Sequence, residues 1–154
     1  MAPQWDIFET EHWRVSHRRD SRYAGYLMVS AIAPATAFAD LSEPALLAMG
    51  GVLRRTEQLL GQAFDPFKVL VCKLGFSPGF NLHPHVIAVT RPLLVEIAEH
   101  PGYAGEPDGN DALLFLSREY CERPLSPAEQ NSQQQTVERL RALAGADASE
   151  GRKP

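Results

Sequence analysis

A long amphipathic helix, placed between two groups of strand-like segments, is the feature that most constrains what this chain can fold into. Residues 42–44 read Ser-Glu-Pro, which is a capping serine followed by an acid and a proline in the first turn. Apolar side chains then recur at steps of three and four as far as Leu60, the spacing of one helix face. We expect the helix to end at Gly61 or at the Asp-Pro pair of residues 65–66.

Short runs rich in β-branched and aromatic residues flank this helix on both sides and predict an antiparallel sheet. The runs before the helix predict two or three strands and those after it predict two, separated by polar or glycine-containing turns. The predicted strands are Ile7–Phe8, Trp13–Val15, Tyr26–Ile32, Lys68–Leu74 and Leu82–Thr90. Further along, the sequence predicts a short helix over Leu93–His100, an apolar segment of undecided type over Ala112–Cys121, and a polar helix from Ser126 toward Leu143.

The chain shows neither an internal repeat nor an interdomain linker, so we predict one α+β domain over residues 1–144. Its architecture would be an antiparallel sheet with the long helix between its strands and an additional helix near the C-terminus. Gly145 begins a segment without strong patterning, so residues 145–154 are predicted to form a flexible tail.

Charge and composition exclude several classes of partner. The net charge of −4 argues against a nucleic-acid-binding protein, because phosphate-backbone binding usually needs a broad basic surface. The longest nearly apolar stretch, residues 26–39, is interrupted by Pro34 and is too short for a membrane span. The N-terminal residues lack a signal-peptide pattern, so we expect a cytoplasmic protein. Cys72 and Cys121 lack metal-site spacing and are interpreted as structural.

Two of the five histidines stand at alternate positions of a predicted strand, in the stretch Asn81-Leu82-His83-Pro84-His85-Val86-Ile87. Strand side chains alternate between faces, so His83, His85 and Ile87 are expected on one face and their neighbours on the other. Two imidazoles would therefore stand side by side. Neutral imidazole is a nucleophile near pH 7, which makes this pair the first candidate for chemistry.

The order of strand, helix, strand, turn and strand, together with several short motifs, resembles the histidine-triad (HIT) superfamily over roughly residues 7–91. The motifs are Gly25-Tyr26-Leu27-Met28-Val29, Asp40-Leu41-Ser42, Leu74-Gly75 and the histidine stretch of residues 81–87. The superfamily signature is His-x-His-x-His followed by two apolar residues, and here Asn81 occupies the first histidine position. The segment from Asp108 to Glu122 is also similar to the C-terminal part of some bacterial HIT-like proteins.

The resemblance implies a HIT-like fold and a nucleotide hydrolase or nucleotidyl transferase that forms a covalent nucleotidyl-histidine. It makes His83 the nucleophile toward the α-phosphate and His85 a contact to a phosphate oxygen or to the leaving group. Asn81 can form hydrogen bonds but cannot change protonation near neutral pH, so the site is expected to be slower or altered. The family position for a ribose ligand, often Asn or Asp, falls at Arg18 or Arg19, which makes ordinary ribose recognition an open question.

A second alignment is available, because His-Pro-His also resembles the galactose-1-phosphate uridylyltransferase branch of the superfamily. In that register His85 would be the nucleophile and Ile87 would stand at the third position, where it has no chemistry to offer. We favour the first register, because Val86 and Ile87 then fall where the signature ends in two apolar residues.

The glycine- and proline-containing loop of residues 75–80 is a candidate phosphate cradle, since backbone amides around Gly79 and the Ser77 hydroxyl can bind phosphate oxygens. Lys73 would add positive charge beside it. An ordinary hairpin turn and an exposed strand lysine are the competing interpretations.

Three other interpretations compete with that of an enzyme. The first is a HIT-fold nucleotide-binding or regulatory protein that has lost turnover; the second is a metal site formed by His83 and His85 with Glu96 or His100. The third is a buried, merely hydrogen-bonded histidine pair. We expect no cofactor and no structural metal, a nucleotide-like small-molecule substrate and, from the resemblance, a homodimer with the long helix or the second hairpin at its interface.

Overall fold

The computed structural model describes residues 3–150. Five strands form one antiparallel sheet, in the spatial order β1-β2-β3-β5-β4. The strands are β1 (Asp6–Glu9), β2 (Trp13–His17), β3 (Tyr26–Ala31), β4 (Lys68–Cys72) and β5 (His85–Val89). The helices are α1 (Glu43–Phe64), α2 (Arg91–Glu99), α3 (Gly109–Phe115) and α4 (Pro127–Glu150). The predicted α+β architecture, with a long helix between strands of an antiparallel sheet, is confirmed.

Helix α1 begins and ends where its sequence signals stand. The Ser42 hydroxyl accepts a hydrogen bond from the Ala45 amide, which satisfies one of the free amides of the first turn. At the other end Asp65 adopts a left-handed conformation with φ of 44°, and its amide bonds back to the Gly61 carbonyl. The helix therefore stops at the second of the two predicted ends.

Two apolar clusters cover the two faces of the sheet. On one face β2, β3 and β5 pack under α1 and α4, around buried side chains such as Trp13, Leu60 and Val86. On the other face α2 and α3 cover Tyr26, Ile87 and their neighbours. The remaining part of this second face, mainly β2 and the end of β3, carries the polar side chains of the cleft described below.

The predicted histidine strand is shorter than the sequence suggests. Regular pairing begins at His85 rather than at Leu82, because Pro84 has no amide proton and the Leu82 amide bonds to Ala35 instead of continuing the ladder. The carbonyls of Leu82 and Pro84 still accept from β3. Strand β4 likewise ends at Cys72, so residues 73–84 form one long connection in place of the predicted six-residue loop.

The structure also defines the elements expected near the C-terminus. Helix α2 begins at Arg91, capped by the Thr90 hydroxyl, two residues before the predicted start. The undecided apolar segment is helical: α3 starts at Asp108 as its cap and continues into a π-helical turn over Leu116–Tyr120. Residues 145–150 of the predicted tail are helical and continue α4; Arg55 and Gln62 of α1 bond to residues 144 and 147. Residues 151–154 of the predicted tail lie outside the described part.

Within residues 3–150, no helix is both long enough and apolar enough to cross a bilayer.

Gly25 marks a place where the backbone of one segment approaches β5 closely. A Cβ atom at Gly25 would lie 2.9 Å from the Cβ atom of Ala88, whereas a Cβ at Gly50 in α1 would meet nothing within 4 Å. We expect Gly25→Ala to lower the free energy of unfolding by about 1–3 kcal/mol through overpacking. The matched change Gly50→Ala should raise it by about 0.5–1 kcal/mol, because alanine restricts the unfolded chain more and favours helix. Urea denaturation of both variants checks the opposite signs; a loss at both positions would contradict the account.

Candidate active site

A cleft of about 490 Å³ lies on the uncovered part of the second sheet face. Its floor comes from alternate residues of β2 and β3, and its walls come from the segment after β2 and from the segment before β5. The floor carries Arg14, Ser16, Met28 and Ser30, and the histidine pair lies at the far side. The alternation of β2 explains this floor, since Trp13 and Val15 point to the opposite, buried face.

The two histidines stand side by side, as the period-two pattern predicts. The ring centroids of His83 and His85 are 5.6 Å apart. Leu82 and Val86 belong to the cluster under α1, while Ile87 belongs to the opposite cluster. The prediction that these side chains alternate between faces is therefore confirmed, even though regular pairing starts only at His85.

The hydrogen bond of His83 assigns its ring proton to one nitrogen and leaves a lone pair on the other. Its Nδ1 atom lies 2.6 Å from the Asn81 backbone carbonyl oxygen. A carbonyl only accepts hydrogen bonds, so Nδ1 carries the proton. In the neutral ring Nε2 then keeps a lone pair, and the side chain is partly exposed along the cleft. This is the arrangement that a nucleophilic imidazole requires.

His85 is in a different environment from His83. It is 6% exposed, and its Nδ1 atom lies 2.6 Å from the Tyr26 hydroxyl oxygen. Burial, with smaller contributions from the positive charge of Arg18 and from His83, lowers the pKa of His85 to about 4. The ring is therefore neutral at physiological pH.

The depressed pKa of His85 predicts a pH dependence of stability. The pKa of this histidine is 6.5 in the unfolded chain and about 4 in the folded protein. Between these two pH values the unfolded chain binds a proton that the native protein does not. The contribution of His85 to the free energy of unfolding is thus fully present above pH 6.5 and is lost as the pH falls toward 4. We expect His85→Gln to reduce the slope of unfolding free energy against pH in this window by up to about 1.4 kcal/mol per unit. Urea denaturation between pH 7 and 4 measures both slopes, and equal slopes would contradict the assignment.

Asn81 holds the backbone in place rather than reaching into the cleft with its amide nitrogen. The Nδ2 atom donates to the carbonyls of Ala31 at 2.9 Å and Ile32 at 3.3 Å. These two bonds use both amide protons and attach the segment before β5 to the end of β3. Only the side-chain oxygen of Asn81 remains for a ligand.

The loop that precedes the histidines encloses a second, adjoining cavity of about 340 Å³. It brings Lys73, Ser77 and Gly79 together beside His83, in the grouping that the sequence predicts for a phosphate cradle. Gly79 has φ of 90°, a left-handed conformation that favours glycine. Phe80, Asn81 and His83 line both cavities, so the nucleophile candidate stands at their junction.

The two arginines expected near a ribose lie in the cleft wall, but their guanidinium groups have partners within the protein. Arg18 donates from Nε to Asp20 Oδ1 at 2.7 Å and from Nη1 to the Tyr26 hydroxyl at 2.9 Å. Arg19 stacks over the ring of Trp5, with its guanidinium carbon 4.7 Å from the centroid. Both contribute positive charge to the wall.

Sequence reasoning missed three residues that shape the site. Tyr26 and Asp20 complete the hydrogen-bond chain from Arg18 to His85. Gln133 of α4 donates to the backbone carbonyls of Arg18, Arg19 and Ser21 and accepts from the Trp5 indole, which holds the wall segment. Tyr26 follows Gly25 at the start of β3, inside the motif of residues 25–29. Nothing in the sequence places Gln133 against residues more than 110 positions away.

The metal interpretation finds no support in the structure. Glu96 accepts a hydrogen bond from Tyr120, and His100 lies beside Glu119, both among the helices that follow β5. Between residues 3 and 150 no group of three or more His, Cys, Asp or Glu side chains is arranged to hold a metal ion.

No family model and no curated protein matches this sequence. Solved structures do match it in fold. A zinc-bound histidine triad family protein from Mycobacterium smegmatis is 15% identical with a TM-score of 0.60, covering 97% of this chain and 89% of that one. A histidine triad protein from Bradyrhizobium japonicum is 20% identical with a TM-score of 0.56, covering 88% of each chain.

An enzyme of known activity has a similar structure. The diadenosine triphosphate hydrolase of Plasmodium falciparum, solved in complex with cyclomarin A, is 7% identical with a TM-score of 0.62 and covers 95% of this chain and 80% of that one. At these identities the comparisons establish the fold and leave the chemistry to the residues of the cleft. The sheet order, the long helix between strands and this coverage show that the chain has the fold of the histidine-triad proteins.

Proposed function

We propose that this protein is a nucleotide hydrolase or nucleotidyl transferase that acts on the α-phosphate of a nucleoside phosphate conjugate through a covalent nucleotidyl-histidine. One observation carries the proposal: the Asn81 carbonyl holds the proton of His83 on Nδ1, which leaves the Nε2 lone pair for the cleft. The fold it shares with a diadenosine triphosphate hydrolase is consistent with this chemistry.

In the first step Nε2 of His83 attacks the α-phosphorus, an N–P bond forms, and the bond from phosphorus to the leaving group breaks. In the second step water, or an acceptor hydroxyl in transfer, attacks the same phosphorus and breaks the N–P bond. The nucleoside monophosphate takes the new oxygen, and the proton of the attacking water or hydroxyl passes to solvent. An amine leaving group takes its proton from solvent in the first step. Dividing one displacement into two in this way lowers each barrier, provided that the phosphoryl charge is stabilised.

The cleft contains groups suited to that stabilisation. Lys73, the Ser77 hydroxyl and the backbone around Gly79 border the cavity beside His83 and are assigned to the phosphate or the leaving group. Arg18 and Arg19 add positive charge from the other side. His85 is assigned to a phosphate oxygen or to the leaving-group oxygen, and Asn81 to holding the segment that carries His83.

The contacts favour His83 over His85 as the nucleophile. His85 is buried and is bound through Nδ1 to Tyr26, whereas His83 is partly exposed at the junction of two cavities. Ile87, which would take the third position in the alternative register, is fully buried in an apolar cluster.

A substrate panel tests the proposal. Purified protein is incubated in ¹⁸O-water with nucleoside phosphoramidates and dinucleoside polyphosphates, and products are followed by liquid chromatography and mass spectrometry. We expect release of a nucleoside monophosphate with one ¹⁸O atom at the α-phosphorus. Label on the leaving group instead would show attack at a different phosphorus and would contradict the proposed site of reaction.

A second function, nucleotide binding without turnover, is favoured by the contacts of Asn81. Its amide protons are both engaged with β3, and an amide cannot donate and recover a proton as a histidine at that position could. Calorimetry with nucleoside monophosphates and non-hydrolysable conjugates separates the two functions. Binding with no product from any substrate in the panel would support this second function and reject the first.

We also propose a homodimer that uses the second hairpin. Strand β4 is an edge of the sheet, and apolar side chains beside it are exposed: Phe67 at 52%, Val71 at 49% and Leu74 at 39%. An unpaired edge with exposed apolar residues is suited to pairing with a second copy. Sedimentation velocity of wild type and Val71→Lys tests this: we expect a dimer that the lysine weakens, and a monomeric wild type at micromolar concentration would contradict it.

A further inference from the structure

We infer that Arg18 and Tyr26 are positioning residues that hold His85 in the tautomer with its proton on Nε2, opposite to the tautomer of His83. The inference rests on the proposed function for its catalytic meaning, although the tautomer itself is a property of the folded protein. It goes beyond the roles assigned to the histidines because it says what makes two adjacent imidazoles chemically different.

The direction of the hydrogen bonds follows from the groups involved. A guanidinium only donates, so Arg18 Nη1 donates to the Tyr26 hydroxyl oxygen at 2.9 Å. Tyr26 is fully buried, and its own hydroxyl proton needs an acceptor. His85 Nδ1, at 2.6 Å, supplies that acceptor. The reverse arrangement, with Nδ1 donating to the phenol oxygen, would leave the buried phenol proton unpaired.

The charged and titratable neighbours keep this arrangement in place. Asp20 holds Arg18 through Nε at 2.7 Å and is itself bound by the Glu122 amide. Burial raises the pKa of Tyr26 to about 12, with Arg18 opposing the shift, so the phenol remains protonated. Cys72 of β4 is paired with His85 of β5 in the sheet. Burial raises the pKa of the Cys72 thiol and of the Cys121 thiol, so both are uncharged.

The two histidines therefore differ because their partners differ. His83 faces a carbonyl oxygen, which accepts, and His85 faces a phenol hydroxyl, which donates. With the rings 5.6 Å apart, one Nε2 atom has a lone pair for phosphorus and the other has a proton for an oxygen of the same phosphate group. The pair is prepared for its two roles before substrate binds.

Nuclear magnetic resonance of the full-length, ¹⁵N-labelled protein tests the tautomers without any substrate. Multiple-bond ¹H–¹⁵N spectra distinguish Nδ1–H from Nε2–H rings, and His83→Gln and His85→Gln assign the signals. We expect Nδ1–H for His83 and Nε2–H for His85 at pH 8. In Tyr26→Phe we expect His85 to become a mixture of tautomers. Nδ1–H for His85 in the wild type, or an unchanged His85 in Tyr26→Phe, would overturn the inference.

Kinetics supply the second readout, with Tyr23→Phe as the matched control. The Tyr23 hydroxyl also donates a partly buried hydrogen bond, to the Ala88 carbonyl at 2.6 Å, and has no hydrogen bond to either histidine. We expect Tyr26→Phe to lower kcat about ten- to a hundredfold with a smaller change in KM, and Tyr23→Phe to leave both near wild type. Equal losses in the two variants would indicate a structural effect and reject the positioning role.

Arg18→Met keeps the inference testable if Tyr26→Phe does not fold. Removing the Arg18 charge is expected to raise the pKa of His85, which moves the acid limb of the pH–rate profile upward. An unmoved acid limb would contradict the role of Arg18. If the tautomers are as expected and no substrate turns over, the proposed function fails while the positioning of His85 stands. If substrate turns over through His83 and His85 is the Nδ1–H tautomer, the proposed function stands while the positioning of His85 fails.

Discussion

Replacing His83 with alanine is expected to reduce turnover by at least about a thousandfold, because the variant loses the only group proposed to form a bond to phosphorus. The fold should survive the change. His83 is partly exposed and makes one hydrogen bond, to a backbone carbonyl in the segment before β5. Steady-state rates of nucleoside monophosphate release, measured beside thermal melting, check both statements.

His100→Ala is the matched control for this experiment. His100 is a partly exposed histidine at the end of α2, where it lies against Tyr103 and Phe115 and does not line the cleft. Its loss should leave the rate within about twofold of wild type. If His83→Ala retained a tenth or more of wild-type turnover while melting normally, His83 could not be the nucleophile.

The largest effect on stability is expected at Trp13. Its side chain is fully buried in the cluster under α1, and its indole Nε1 donates to the Ala45 carbonyl in the first turn of that helix at 2.9 Å. Trp13→Ala should lower the free energy of unfolding by about 3–5 kcal/mol through the cavity that it leaves. Because domains of this size are stable by only about 5–15 kcal/mol, the Trp13→Ala variant would keep little stability at physiological temperature.

Trp13→Phe separates packing from hydrogen bonding at the same position. Phenylalanine keeps much of the apolar volume and loses the bond to Ala45, so we expect a smaller cost of about 1–3 kcal/mol. Leu47→Ala serves as the exposed control on α1, since Leu47 is 77% exposed and should change stability by no more than about 0.5 kcal/mol. Urea denaturation with unchanged m values measures all three. Comparable losses at Trp13 and Leu47 would contradict the described core.

The parts of the fold that could be predicted from sequence are those specified by local chemistry. Capping by Ser42 predicts the start of α1, and the Asp-Pro pair is one of the two ends that the sequence predicts for it. Alternation along residues 81–87 placed His83 and His85 side by side and put Ile87 on the same face. Each of these signals depends only on residues within a few positions of one another, so no knowledge of tertiary structure was needed.

The parts that could not be predicted depend on register between distant segments. Tyr26 contacts His85 because β3 pairs with β5, and the two residues are 59 positions apart in sequence, so no local pattern indicates that contact. Pro84 cannot donate to a sheet ladder, yet its effect on the start of β5 also depends on the Leu82 amide bonding to Ala35. Gln133 holds the wall of the cleft from α4, which only the packed structure reveals.

The proposed role of His83 is tested most directly by trapping the intermediate. Protein and substrate are mixed, quenched at alkaline pH within the first turnover, and examined by intact mass and peptide mapping. The proposal predicts a mass increase of one nucleoside monophosphoryl group, located on His83, that disappears in His83→Ala and persists in His100→Ala. Turnover without any adduct, or an adduct on His85, would contradict it.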